Sequence, residues 1–148
     1  MTAGLVTLAV VVLAAVAWTR WRLVTITVRG TSMRPALEPG DRVLIRRTRR
    51  PAAARLRRGQ IVVAVPGQPG RAIDHRHPLL IIKRVFAVPG DPVPRLAVPA
   101  LEAAPEAYVP PGRLVLLGDN PAGTDSRQIG YFHADYLLGV VIRRLPGR

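Results

Sequence analysis

Proline does not occur before position 35 of this 148-residue chain, and then it occurs fifteen times. Proline lacks a backbone donor and clashes with the preceding helical turn, so a long helix is confined to the opening segment. That segment is apolar: residues 1–19 carry no charged side chain, and Leu5–Trp18 forms the core of the run. At about 1.5 Å per residue it reaches roughly 28 Å, one hydrocarbon thickness of a bilayer. Trp18 and Trp21 sit beside Arg20 and Arg22 at its far end, an aromatic belt with basic anchors. A cleaved leader would place a basic stretch ahead of a shorter apolar run. No Lys or Arg precedes this one, so the expectation is a retained transmembrane helix over residues 1–22, with a lipid bilayer as its partner.

Beyond it, the pieces between prolines and glycines have strand length. Leu23–Arg29 is β-branched and partly alternating, and Glu38–Asp41 is a turn. Further strands are expected at Arg42–Arg46, Gln60–Val65, Leu79–Val88, Arg113–Leu117 and Leu137–Arg143. Seven prolines between Pro89 and Pro111 make that stretch loop or sheet edge. The fold class is therefore an all-β domain over residues 23–148 behind one N-terminal transmembrane helix.

Charge is one-sided, at +13, and Arg46–Arg58 holds seven arginines in thirteen residues. Aromatic residues are only 5% of the chain, so base stacking is poorly supported and no nucleic-acid partner is expected. Anionic headgroups or plain solvent suit such a run better. With no cysteine, disulfide scaffolds, thiolate metal sites and cysteine catalysis are excluded.

Of the 22 basic residues, one alone is lysine, Lys83. Arginine does not lose its proton in a protein, whereas lysine can. On a strand, Lys83 shares its face with Ile81, Val85 and Ala87. Such an apolar row disfavours the ammonium form and makes the amine a usable general base. Only two serines occur, Ser32 and Ser126. Ser32 lies in Gly30-Thr31-Ser32-Met33-Arg34-Pro35, where Gly30 admits another backbone closely and Pro35 holds Arg34 extended. A serine hydroxyl becomes a nucleophile when a base takes its proton.

Four ordered blocks resemble the type I signal peptidases, membrane-anchored Ser–Lys proteases. They are Gly30–Pro35 with Gly40-Asp41; Lys83-Arg84-Val85 with Pro89-Gly90-Asp91; Gly118-Asp119-Asn120 with Asp125-Ser126-Arg127 and Gly130; and Leu138–Val141. The resemblance implies that Ser32 is the nucleophile and Lys83 the general base, in a signal-peptidase-like β fold with no metal and no cofactor. The implied substrates are preproteins or propeptides cut after small residues in an Ala-x-Ala pattern, bound extended beside the lysine strand. Gly30, Met33, Leu37, Ile81 and Ile82 are the candidate substrate-binding residues. Arg84, Asp119, Asp125 and Arg127 match supporting positions, and Ser126 matches a structural one. Some members carry a serine two residues before the nucleophile. Gly30 stands there in this chain, so the oxyanion hole would rest on backbone N–H groups, including that of Ser32. Only 26 residues separate Asp91 from Gly118, so the form is minimal. The resemblance implies a place in the cell membrane with the catalytic domain extracytoplasmic, and a monomer is expected, though the sequence itself does not fix the oligomeric state. Arg20 and Arg22 alone would suggest the opposite orientation.

Other readings use the same residues differently. LexA-type repressors also carry a Ser–Lys dyad, but with a helix-turn-helix domain where this chain is apolar. A Ser-His-Asp triad would draw on His75, His77 or His133, and a metal site on Asp74, His75 and His77; none has a motif around it. A protease dedicated to one partner, or a non-catalytic membrane-anchored binding module, would also suit the blocks.

Overall fold

A computed structural model describes residues 2–48, 55–65 and 80–145. Asp74, His75, His77 and residues 49–54 of the arginine run lie outside the described residues. The chain opens with α1 (Thr2–Arg22), whose composition gives it no polar stripe. Its described side chains are those at 4, 6–14, 18 and 22, and among the described residues no helix is long and apolar enough to cross a membrane. The Arg22 guanidinium lies 4.4 Å over the Trp18 ring, a cation–π contact at the helix end.

Seven strands follow: β1 (Leu23–Thr27), β2 (Arg42–Arg47), β3 (Ile61–Ala64), β4 (Ile81–Ala87), β5 (Arg113–Leu117), β6 (Phe132–His133) and β7 (Leu137–Leu145). They form one sheet in the order β1-β2-β7-β3-β4-β5-β6, with every pairing antiparallel. The expectation from the sequence is an all-β domain with little helix beyond the first segment, and the mostly antiparallel sheet is consistent with it. The short helix α2 (Ser126–Ile129) and the two-residue β6 are additions to that prediction.

β7 lies between β2 and β3, and so joins the β1–β2 pair, whose connection carries Ser32, to the pair that carries Lys83. Its pairings carry two register shifts. Gly139 sits between them, where a Cβ would stand 2.5 Å from the Arg46 carbonyl oxygen. Only glycine lets β7 come this close to β2.

Three apolar clusters fill the interior. Val28, Met33, Leu37, Val43, Ile45, Val63 and Ile82 pack between the two halves of the sheet. Leu56, Val62, Val85, Leu114, Leu116, Phe132 and Val140 form the second cluster. In the third, the proline-rich segment folds onto β4 and β5 through Val93, Val98, Leu101 and Val109. That segment is loop, as its prolines require, with a 3₁₀ turn at Pro99–Leu101 and a single bridge from Pro92 to Tyr108.

Candidate active site

Ser32 sits on the loop between β1 and β2. Val28 is held at both ends: its N–H donates to Asp41 O and its carbonyl accepts from Gly40 N, each at 2.8 Å. Asp41 is fixed in turn, since Oδ2 accepts from Glu38 N and Oδ1 pairs with Arg144 at 2.8 Å. After Ser32, the Met33 side chain is 1% exposed. Burying such a side chain stabilises by about 1.5–3 kcal/mol, which pins the loop one residue from the hydroxyl. The loop then turns back, with Leu37 N donating to Met33 O at 2.9 Å.

Lys83 occupies the middle of β4 and is 4% exposed. Burial pushes its pKa below the ordinary lysine value; Asp125 opposes this and Arg127 adds to it. Asp125 is fully buried and its oxygens are already engaged. Oδ2 accepts from Gly118 N at 2.8 Å and Oδ1 from Arg127 N at 2.9 Å. It also caps α2, where Gln128 completes a capping box by accepting from Asp125 N. Asp125 therefore orders the segment around the lysine without forming a close ion pair with it.

Two glycines bring the serine and the lysine together. A Cβ on Gly123 would stand 3.5 Å from Ser32 Cβ and 3.7 Å from Lys83 Nζ, so one methyl group would touch both. A Cβ on Gly118 would stand 2.7 Å from Ser32 O and 3.4 Å from Lys83 Nζ. Asn120 ties the same strip to the serine loop: its N–H donates to Ser32 O at 2.9 Å and its Nδ2 to Thr31 O at 3.2 Å. Sequence reasoning assigned no role to Gly118, Gly123 or Asn120. The only signal was the Gly118-Asp119-Asn120 run directly after β5.

The Ser32 hydroxyl donates to Ile82 O at 3.3 Å. Among the described residues, Ser32 N–H makes no hydrogen bond. Backbone groups of Val85 face β3 through Gly59 and Gln60. By alternation those of Lys83 do the same, and those of Ile82 face the other way. Pairing of β4 with β5 begins only at Arg84, so the Ile82 edge is open. The outer edge of β1 is open too, because β1 ends the sheet. Between them runs a cleft of about 850 Å³, lined from Thr25 to Met33 on one side, from Leu80 to Lys83 on another, and closed by Ala122–Thr124.

The residues expected at the site divide as follows. Gly30, Ser32, Met33, Ile81, Ile82 and Lys83 all border the cleft. Leu37 does not: it is 3% exposed in the apolar cluster beneath the loop, because the turn at Met33–Leu37 points it inward. Arg84 pairs with Asp119 through two bonds, at 2.8 and 2.6 Å. Arg127 Nη2 donates to Gly118 O at 2.9 Å, while its Nη1 lies 3.5 Å from Asp125. These four residues frame the Gly118–Asn120 strip and do not border the cleft. Ser126 is fully buried, its Oγ accepting from Leu116 N at 2.9 Å. His133 contacts Arg113 and packs edge-on against Tyr136, away from Ser32. Among the described residues, no three of His, Asp and Glu cluster as metal ligands would.

A serine and a desolvated amine converging on a cleft between open strand edges suit acyl transfer from an extended peptide. Comparison with known proteins bears on the same chemistry. No curated protein matches the chain. Residues 1–99 match the family model described as signal peptidase, peptidase S26. The chain thus belongs to the signal peptidase family, peptidase S26, whose members are serine peptidases.

Proposed function

We propose that this protein is a membrane-bound serine endopeptidase that removes signal peptides or propeptides after small residues, with Ser32 as nucleophile and Lys83 as general base. The observation that carries the reading is the meeting of Ser32 with the one lysine of the chain across Gly123, at the floor of the cleft.

The extended peptide lies between the open edges of β1 and β4, and its backbone pairs with Ile82. Ser32 Oγ leaves Ile82 O and presents its proton to neutral Lys83 Nζ. As the proton transfers, Oγ bonds to the scissile carbonyl carbon and the carbonyl oxygen becomes an oxyanion. Ser32 N–H is placed to stabilise that charge. Collapse breaks the C–N bond, and the Lys83 ammonium protonates the departing amine. Water then attacks the ester and gives its proton to Lys83. The C–Oγ bond breaks and the proton returns to Ser32. Lys83 can act only while neutral, which its burial favours.

Membrane attachment through α1 belongs to the same reading. It is supported by the uncharged sequence of residues 1–19 and by Arg22 stacked on Trp18 where the helix ends. The domain lies outside the cytoplasm as a monomer, where exported substrates emerge.

The test is cleavage of an Ala-x-Ala preprotein in detergent micelles, with Ser32→Ala and Lys83→Arg alongside wild type. Cleavage by wild type alone is expected. Turnover by Lys83→Arg would end the general-base assignment, and equal turnover by Ser32→Ala would end the nucleophile assignment. Protease added outside intact spheroplasts should degrade the domain; full protection would refute the orientation.

A further inference from the structure

Among the described residues, Arg29 and Lys83 are the two charged residues that border the cleft, and no carboxylate borders it. Lys83 is buried and, in the reading above, works as a neutral amine. Arg29 is exposed, and its position is fixed. Val28 is clamped by Gly40 and Asp41 and buries its own side chain, so alternation turns Arg29 to the opposite, open side. Among the described residues Arg29 has no ion-pair partner. Its neighbours differ: Arg34 is held by Glu38 at 2.6 Å, and Asp41 is taken by Arg144. Three residues from the proposed nucleophile, Arg29 thus displays a guanidinium that no described carboxylate compensates, over a wall that includes Thr, Val, Ile and Gly.

We infer that Arg29 is a specificity-determining residue, and that the preferred substrate carries an acidic side chain within about four residues of the scissile bond. This rests on the proposed peptidase reading and names a feature of its substrate. A guanidinium also gives a carboxylate two parallel donors, which adds geometric selectivity to the attraction of charge. Exposed ion pairs contribute modestly, so the expected preference is about two- to fivefold. It should shrink as salt rises and shortens the Debye length below the reach of the pair.

The experiment uses the full chain in detergent micelles and a parent peptide with an uncharged Ala-x-Ala site. Single Asp, Asn or Lys substitutions are walked through four positions on each side of the cleavage point. Cleavage by wild type gives kcat/KM, and fluorescence anisotropy on Ser32→Ala gives Kd for the same peptides. The expected result is an Asp-over-Asn advantage of about two- to fivefold at one or two neighbouring positions, in both measurements. Arg29→Gln should abolish it and Arg29→Lys should keep most of it, each read as the Asp-to-Asn ratio within the same variant. Equal handling of Asp and Asn at every position would overturn the inference, as would an advantage that survives in Arg29→Gln. Tight binding of Asp peptides without cleavage of any peptide would overturn the peptidase reading and keep the charge preference. Absence of peptide binding altogether would overturn both.

Discussion

Gly118 and Gly123 both face Ser32 and Lys83, yet the same substitution should be costly at the first position and tolerated at the second. An alanine Cβ at 118 would stand 2.7 Å from Ser32 O and 3.2 Å from Asn120 O, both backbone atoms. Neither can step aside cheaply. Asn120 N is bonded to Ser32 O, Gly118 N to Asp125, and Gly118 O to Arg127. Relief requires the strip to move away from the serine loop, with loss of the Asn120–Ser32 hydrogen bond, worth about 0.5–1.5 kcal/mol. Overpacking of this kind costs about 1–3 kcal/mol in total, or a Tm lower by roughly 3–9 °C. The displacement also falls on Ser32, the proposed nucleophile, where a misplacement near 1 Å costs about 100-fold in rate. At 123 the new methyl would meet Ser32 Cβ at 3.5 Å and Lys83 Nζ at 3.7 Å, ordinary contact distances. Gly123→Ala should therefore fold with an unchanged Tm. The assay is thermal unfolding of both variants, with kcat on an Ala-x-Ala peptide. Wild-type turnover and Tm in Gly118→Ala would refute the close approach of the two loops.

Lys83→Met should raise stability at neutral pH while abolishing turnover. Because the lysine pKa is lowered on folding, the unfolded chain binds more protons, and stability rises with pH up to about 10.4, the free lysine value. The gain from methionine should therefore be full below the folded pKa and fade towards pH 10.4; urea titrations across that range check it. In wild type, kcat/KM should rise with pH with its midpoint below the free lysine value, and a midpoint at that value would contradict a desolvated base. Ser126→Ala should retain labelling by a serine-hydrolase probe but lose about 1–3 kcal/mol, because Leu116 N–H would be left buried and unpaired. Ser32→Ala should show the converse, lost labelling with little change in Tm. Asp119→Asn should cost about 1 kcal/mol after allowance for solvent screening of the partly exposed Arg84 pair, measurable as a Tm lower by a few degrees.

The proline pattern made most of the strands legible, since any run long enough to pair was bounded by residues that break pairing. Lys83 stood out for a compositional reason: a chain that uses arginine everywhere else placed an amine within an apolar row, of which Lys83, Val85 and Ala87 are buried. Leu37 misled because a hydrophobic residue near a nucleophile suits a pocket wall and a core equally; the turn at Met33–Leu37 decides, and it points inward. Gly118 and Gly123 were opaque because their meaning lies in residues far off in sequence, Ser32 and Lys83. The helix at Ser126 had a local signal that went unread, the Asp125…Gln128 spacing of a capping box.

The position of β7 between β2 and β3 sets a timetable for the nascent chain. Synthesis runs from the N-terminus, so α1, the serine loop and the lysine strand leave the ribosome while the strand that joins the two halves is still unmade. Until it arrives, β2 and β3 have no shared neighbour, and the serine and lysine are held on separate hairpins. The arrangement that brings Ser32 and Lys83 together is therefore among the last parts of the fold to form.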